Sequence, residues 1–204
     1  NTDCKPEWLV QFALMGSVYA RKALGVERPR VGLLANGEED TKGNAAVQKA
    51  HLMLKELDLN FVGNVEGKDL TRGAADVVVS DGFTGNVAVK IAEGVAALLF
   101  SLLRSEIKAR PLAVIGGLLA KPALRSVAKK LDYREYGGAP LLGVNGIVII
   151  AHGRSDPLAI ENAIRVAIES VNQGLVEAIR QDIEDAVTVL TNAPATRARH
   201  PSEA

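Results

Sequence analysis

The chain has 204 residues, 48% hydrophobic and 24% charged, which is ordinary globular usage and enough for one sizeable α/β domain with a real core. Its 24 basic residues balance 24 acidic ones and aromatics make up only 4%, so neither a global positive field nor a base-stacking surface argues for nucleic acid as a partner. Cys4 is the single cysteine, which excludes a disulfide framework or cysteine metal cluster within this chain and fits a reducing cytoplasm. His51, His152 and His200 lack metal-ligand spacing and read as surface or hydrogen-bonded histidines, so neither metal nor other cofactor is expected.

The opening residues, NTDCKPEWLVQFALMGSVYARKALGV, have no initiator methionine and no basic n-region of a signal peptide. They enter a helix primed by Pro6, over about 6 to 25, and read as a chain that begins in the middle of something. A strand RVGLLA, a polar loop NGEEDTKGN, a helix AAVQKAHLMLKEL, a strand NFVGNV and a short buried strand in ADVVVS follow. Next come the loop DGFTGN, a long helix from about Val87 to Lys108, a segment ARPLAVIGGLLAKPALRSVAKKLDYREYGGAPLLG, a strand NGIVIIAHG and a closing helix from about Asp156 to Leu190. Strands alternating with helices predict a mainly parallel sheet with helices on both faces, a domain over 1–190, and a disordered tail over 191–204.

Two loops carry the chemistry. In DGFTGN, Gly82 and Gly85 let the chain turn before a helix resumes, and the unpaired N–H groups and positive dipole end of such a helix favour an anion. Asp81, Thr84, Gly85 and Asn86 are its candidate contacts. In NGEEDTKGN, Gly37 and Gly43 flank Lys42, and Gly43 and Asn44 stand at the next helix start. Two such loops at the carboxyl ends of neighbouring strands can converge on one crevice, where open α/β sheets bind ligands. Neither matches GxxxxGK[ST] or GxGxxG, which argues against a nucleotide and for a different phosphate-bearing ligand.

The segment from Arg104 to Lys130 holds seven cations against one acid, Glu106, around an apolar middle broken by Gly116, Gly117 and Pro122. The apolar or small run Leu112 to Ala120 is too short for a bilayer span, which needs about 20 residues. A basic amphipathic hairpin is expected, its tip carrying Leu112, Val114, Ile115, Leu118 and Leu119 and its cations including Lys108, Arg110, Lys121, Arg125 and Lys129. It suits an anionic membrane surface or an acidic partner; burial at a subunit interface is the alternative.

NTDCKPEWLVQFALMGSVYA, RVGLLANGEEDTKGN, NFVGNVEGKDL, ADVVVSDGFTGNVAVK, YGGAPLLG and AHGRSD, in that order, resemble the PlsX family of phosphate acyltransferases of bacterial phospholipid synthesis. The resemblance implies a Rossmann-like three-layer α/β/α sandwich and transfer of a fatty acyl group from acyl carrier protein to inorganic phosphate. It also implies a homodimer in the cytoplasm, peripherally associated with the membrane. It covers only the later part of the family's chain: the family's first strand, with its glycine and aspartate motif, and its serine-alanine-glycine-asparagine loop are not in this sequence.

Phosphate, whose second pKa lies near neutrality, needs positioning rather than activation by a protein nucleophile. Lys42 offers charge, while Asn86 and the backbone around Gly43, Asn44 and Gly85 offer donors for the phosphate or the developing oxyanion; the resemblance gives Lys42 and Asn86 the greatest weight. Thr84 is a further contact, and His152, after the last strand, is either a contact or a strand-end cap. Cys4 as a thioester-exchanging nucleophile is disfavoured, because no histidine lies near it in sequence and no covalent step is needed. A non-catalytic acyl-carrier or membrane adaptor, or a phosphotransacetylase-like enzyme, would carry the same loops.

Overall fold

The structure is a computed structural model in which residues 1–130 and 137–192 are described. Two compact units divide the chain: Cys4–Ser80 with the chain from Glu177 onward, and Asn1–Asp3 with Asp81–Val176.

In the first unit, α1 (Pro6–Leu24) starts on Pro6 and ends at Gly25, whose φ of 69° closes the helix in the left-handed region. Leu9, Val10, Ala13, Leu14 and Val18 recur at helical spacing and are buried. Strand β1 (Val31–Leu34), helix α2 (Ala45–Lys55), strand β2 (Phe61–Val65), a 3-10 turn (Gly67–Thr71) and strand β3 (Val77–Val79) follow. The sheet order is β2-β1-β3 and both pairings are parallel, with α2 as the crossover between β1 and β2. The central strand is paired along both edges, and Val31 and Leu33, which share one face of it, are completely buried.

The start of β1 is clamped to the start of β3. The Arg30 backbone N–H and Nε donate to Asp76 Oδ2 at 2.8 and 3.0 Å, and Arg30 Nη2 donates to Oδ1 at 2.9 Å. Helix α1 packs on β3 and α2 on β1 and β2, the two helices touching each other. At Gly16 a β-carbon would lie 2.6 Å from Val77 Cγ1, so the approach of α1 to β3 needs a glycine there. Helix α6 (Leu175–Asn192) brings Ala186, Ile183 and Leu190 to the same core. Each fully buried leucine of this core, such as Leu9 or Leu54, contributes about 1.5–3 kcal/mol through removal from water.

The second unit departs further from the sequence reading. Helix α3 spans Gly82–Ala109, starting five residues before the expected Val87, because Asp81 caps it and accepts from the Thr84 N–H at 2.8 Å. DGFTGN is thus a cap and first turns, not a loop. Helix α4 (Pro111–Lys130) returns along α3, so the hairpin covers 82–130 rather than 104–130 and turns at Arg110. Arg110 precedes a proline, which pushes it out of the helical region (φ −128°, ψ 115°), and Pro111 then opens the next helix. Gly116 and Gly117 lie inside α4. A β-carbon on Gly117 would come within 2.9 Å of Ile107 Cγ2, so this glycine lets α4 close on α3. The expected tip residues Leu112, Ile115, Leu118 and Leu119 therefore lie along the first turns of α4, exposed; Lys121 and Arg125 follow, also exposed. By length and composition alone, α3 and residues 111–128 of α4 are long and apolar enough to cross a membrane, whereas the run Leu112 to Ala120 counted from the sequence is too short.

The strand expected in NGIVIIAHG reduces to β5 (Ile149–Ile150), which pairs with β4 (Ala139–Pro140) antiparallel, not parallel. The glycines before β4 are close-packing positions: Gly137 has φ 75° and a β-carbon there would lie 2.3 Å from the Ala163 backbone nitrogen. The single closing helix is two, α5 (Pro157–Asn172) and α6, separated at Gly174 with φ 62°. Residues 193–204 of the expected tail lie outside the described residues. The parallel strands with their crossover helix and the long hairpin make a Rossmann-like α/β fold with a helical hairpin.

Candidate functional site

The loop 36–44 leaves the carboxyl end of β1 and is fixed by side chains from both its own ends and its neighbours. Asn36 Oδ1 accepts from the Gly43 N–H at 2.8 Å, closing the loop on itself. Gln48 Nε2, one turn into α2, donates to the carbonyls of Thr41 (2.8 Å) and Gly43 (3.0 Å), the residues on either side of Lys42. Gly43 has φ 91°, which an L side chain rarely adopts. Asn44 caps α2, its Oδ1 accepting from the N–H groups of Ala46 and Val47 at 3.0 Å, so its side chain is committed to the helix.

Lys42 is exposed, and its stem folds over Gly37: a β-carbon there would sit 2.6 Å from Lys42 Cγ. Among the described residues its ammonium enters no ion pair, although Glu38, Glu39 and Asp40 share the loop. Two of those acids, Glu38 and Asp40, have other partners. Lys68 pairs with Glu38 at 3.0 Å and with Glu66, and Lys55 pairs with Asp40. Glu38, Glu66 and Asp69 gather close together, but the Lys68 ammonium neutralises part of their charge.

The sequence reading passed over what lies beneath this loop. His51 on α2 is completely buried, with Nδ1 2.9 Å from Asn64 Oδ1 on β2, and Asn64 Nδ2 donates to the Glu39 carbonyl at 2.7 Å. A signal was available: His51 falls with Val47, Ala50 and Leu54 on the apolar stripe of α2.

In the second unit, the residues of DGFTGN are organised by Asp81. Its carboxylate accepts from the Thr84 N–H (2.8 Å) and Thr84 Oγ1 (2.7 Å), while the Gly82 N–H donates to the Asn1 carbonyl at 2.7 Å. Partial burial opposes ionisation of Asp81, but the bonds from Thr84 and the Phe83 N–H outweigh it and hold the carboxyl below its ordinary range. The N–H of Gly85 is turned inward to the Asp81 carbonyl. The first donors of α3 are therefore taken within the protein, and the exposed amide of Asn86 is the donor this segment presents outward.

Asn86 and His152, far apart in sequence, line one cleft of about 460 Å³ between α3 and the β4–β5 pair, together with Val89, Ala139, Ile150 and Glu93. Glu93 is bonded by Lys90 at 2.8 Å and lies 3.9 Å from His152 Nε2; the Lys90 hydrogen bond is the main reason its carboxyl titrates below the usual range. Lys42, Gly43 and Asn44 belong to one compact unit, and Asp81, Thr84, Gly85, Asn86 and His152 to the other.

The parallel strands and their crossover helix define a Rossmann-like α/β protein whose first unit carries a glycine-containing loop with an exposed lysine at the carboxyl end of its central strand. A family model described as "Fatty acid synthesis protein" matches residues 1–178, and the chain belongs to that family. It is 55% identical over 184 residues, 90% of the chain, to the phosphate acyltransferase of Pelotomaculum thermopropionicum, covering 54% of that protein. To the phosphate acyltransferase of Syntrophotalea carbinolica it is 56% identical over 173 residues (85% of the chain, 50% of the relative). To that of Leptospira biflexa it is 50% identical over 192 residues (93% and 56%). The resemblance read from the sequence motifs therefore holds, and the chain spans about half the length of the curated relatives it matches.

Proposed function

We propose that the protein transfers a fatty acyl group from the thioester of acyl carrier protein to inorganic phosphate, making an acyl phosphate for phospholipid synthesis. The observation that carries this reading is the identity of 55% to a phosphate acyltransferase across a stretch that includes both loops. The placement of Lys42 supports it, since its exposed ammonium, which enters no ion pair among the described residues, is available to an anionic substrate.

In this reading a phosphate oxygen attacks the thioester carbon, the carbonyl oxygen becomes an oxyanion, and collapse breaks the carbon–sulfur bond to release the carrier thiolate, which takes a proton from solvent. Lys42 holds the phosphate and offsets the repulsion between the two anions as they form. The Asn86 amide donates to the phosphate or the oxyanion without adding charge. With the first N–H groups of α3 engaged by Asp81 and Asn1, side chains carry the electrostatic work that the sequence reading shared with backbone. Gly43, Asn44, Asp81, Thr84 and Gly85 then act by shaping the two segments, and His152 by lining the cleft beside Asn86.

Exposed apolar residues along α3 and α4, among them Leu98, Leu102, Leu112 and Leu119, support a hairpin that works against another surface. The reading assigns it to homodimer contact and to peripheral binding of anionic membrane in the cytoplasm, with acidic acyl carrier protein meeting its cations. The test is phosphate-dependent loss of an acyl-carrier thioester with formation of acyl phosphate. A protein that binds acyl carrier without turnover is an adaptor, and one that prefers acetyl-coenzyme A is a phosphotransacetylase-like enzyme.

A further inference from the structure

His51 has both ring nitrogens aimed at oxygen atoms. Nδ1 lies 2.9 Å from Asn64 Oδ1, and Nε2 lies 3.2 Å from Asp40 Oδ1, close enough for an ion pair though off the line of a good hydrogen bond. The orientation of Asn64 is not free: its Nδ2 donates to the Glu39 carbonyl at 2.7 Å, and the flipped amide would set two acceptors against each other there. Nδ1 must therefore carry a proton. Nε2, completely buried, faces the Asp40 carboxylate.

We propose that His51 is the positioning residue of the 36–44 loop, tying Glu39 through Asn64 and Asp40 by the contact at Nε2. The charged groups at the ring are Asp40 from the loop and, through Asp40, Lys55 from α2; the β2 residues facing it, Phe61 and Asn64, are neutral. Phe61 stands nearly perpendicular to the ring, 73° at 5.1 Å, and blocks its sideways movement. The Asp40 carboxyl is pulled below the usual range mainly by Lys55 and then by His51. Fixing Glu39 and Asp40 fixes Lys42, because the Lys42 N–H donates back to the Glu39 carbonyl at 3.0 Å. Only this last step rests on the reading of Lys42 as the phosphate contact.

Long-range proton–nitrogen NMR spectra of the protein, with the His51 signals assigned by their loss in His51→Gln, should show a proton on Nδ1. A ring without a proton on Nδ1 overturns the proposal. Asp40 is mostly exposed, so Asp40→Ala should fold; it should speed hydrogen exchange in the 36–44 loop by about tenfold while the α1 amides keep their protection. Lys55→Ala, which leaves the His51–Asp40 contact, should not. Equal loop exchange in Asp40→Ala and the parent overturns the proposal. The same Asp40→Ala variant should raise the KM for phosphate about tenfold with little change in kcat. Loosened exchange with an unchanged KM would uphold His51 as the loop's positioning residue and remove Lys42 from phosphate binding.

Discussion

Gly43 is where backbone strain and packing can be separated by experiment. Its φ of 91° lies in the left-handed region, where a side chain costs about 1–2 kcal/mol. A β-carbon there would also sit 2.4 Å from Val47 Cγ1 and 2.7 Å from Val47 Cβ, far inside contact distance. Val47 is buried in the core on α2, so it has little room to turn away, and overpacking of this kind costs about 1–3 kcal/mol. Gly43→Ala should therefore lose about 2–4 kcal/mol in urea unfolding, with an unchanged m value. In a Val47→Ala background the contact with Cγ1 is gone while the one with Cβ remains, so the clash is eased and the two substitutions should couple by roughly 1 kcal/mol. A loss below about 0.5 kcal/mol for Gly43→Ala, or strict additivity with Val47→Ala, would refute the reasoning.

Leu54, completely buried beneath the sheet, should lose about 2–5 kcal/mol on truncation to alanine in the same unfolding assay. The Asp76 carboxyl, held down to about 2 first by the side-chain hydrogen bonds of Arg30, lies below its unfolded value, so its contribution to stability is complete above about pH 4. That contribution should fade as the pH falls towards 2, so the stability gap between parent and Asp76→Asn should be widest near neutrality and close in acid; a gap independent of pH contradicts the clamp. Leu118→Glu, on the exposed part of α4, should abolish co-sedimentation with anionic vesicles while leaving thermal unfolding in place, and unchanged co-sedimentation would count against the membrane role of the hairpin.

The first unit was the more legible half, and the reason is periodicity. Apolar residues in α1 recur at helical spacing, while RVGLLA, NFVGNV and ADVVVS are short apolar runs bounded by polar turns, so α1, β1, β2 and β3 stand where they were expected. Glycine was the misleading signal. Gly82, Gly85, Gly116 and Gly117 read as chain breaks in the sequence, yet all four are helical, and Gly117 is there for the close approach of Ile107. Gly174, by contrast, does end a helix, and its sequence neighbours concealed that by keeping helical spacing on both sides. At the candidate site, Lys42 and Gly43 could be read from the strand–loop–helix pattern. The pairing of Asn86 with His152 could not, because it depends on how the β4–β5 pair sets against α3. His51 was hidden for a different reason, since a histidine on an apolar stripe reveals its partners only when the loop from another part of the chain is folded over it.

The central claim is that Lys42 contacts the phosphate during acyl transfer. The most direct test is phosphate-dependent consumption of an acyl-carrier thioester, followed in the parent protein and in Lys42→Ala. The parent should consume thioester only when phosphate is present and yield acyl phosphate, and Lys42→Ala should lose about 2–4 kcal/mol of transition-state stabilisation, roughly 30- to 1,000-fold in kcat/KM. Near-parental turnover by a folded Lys42→Ala protein would contradict the claim.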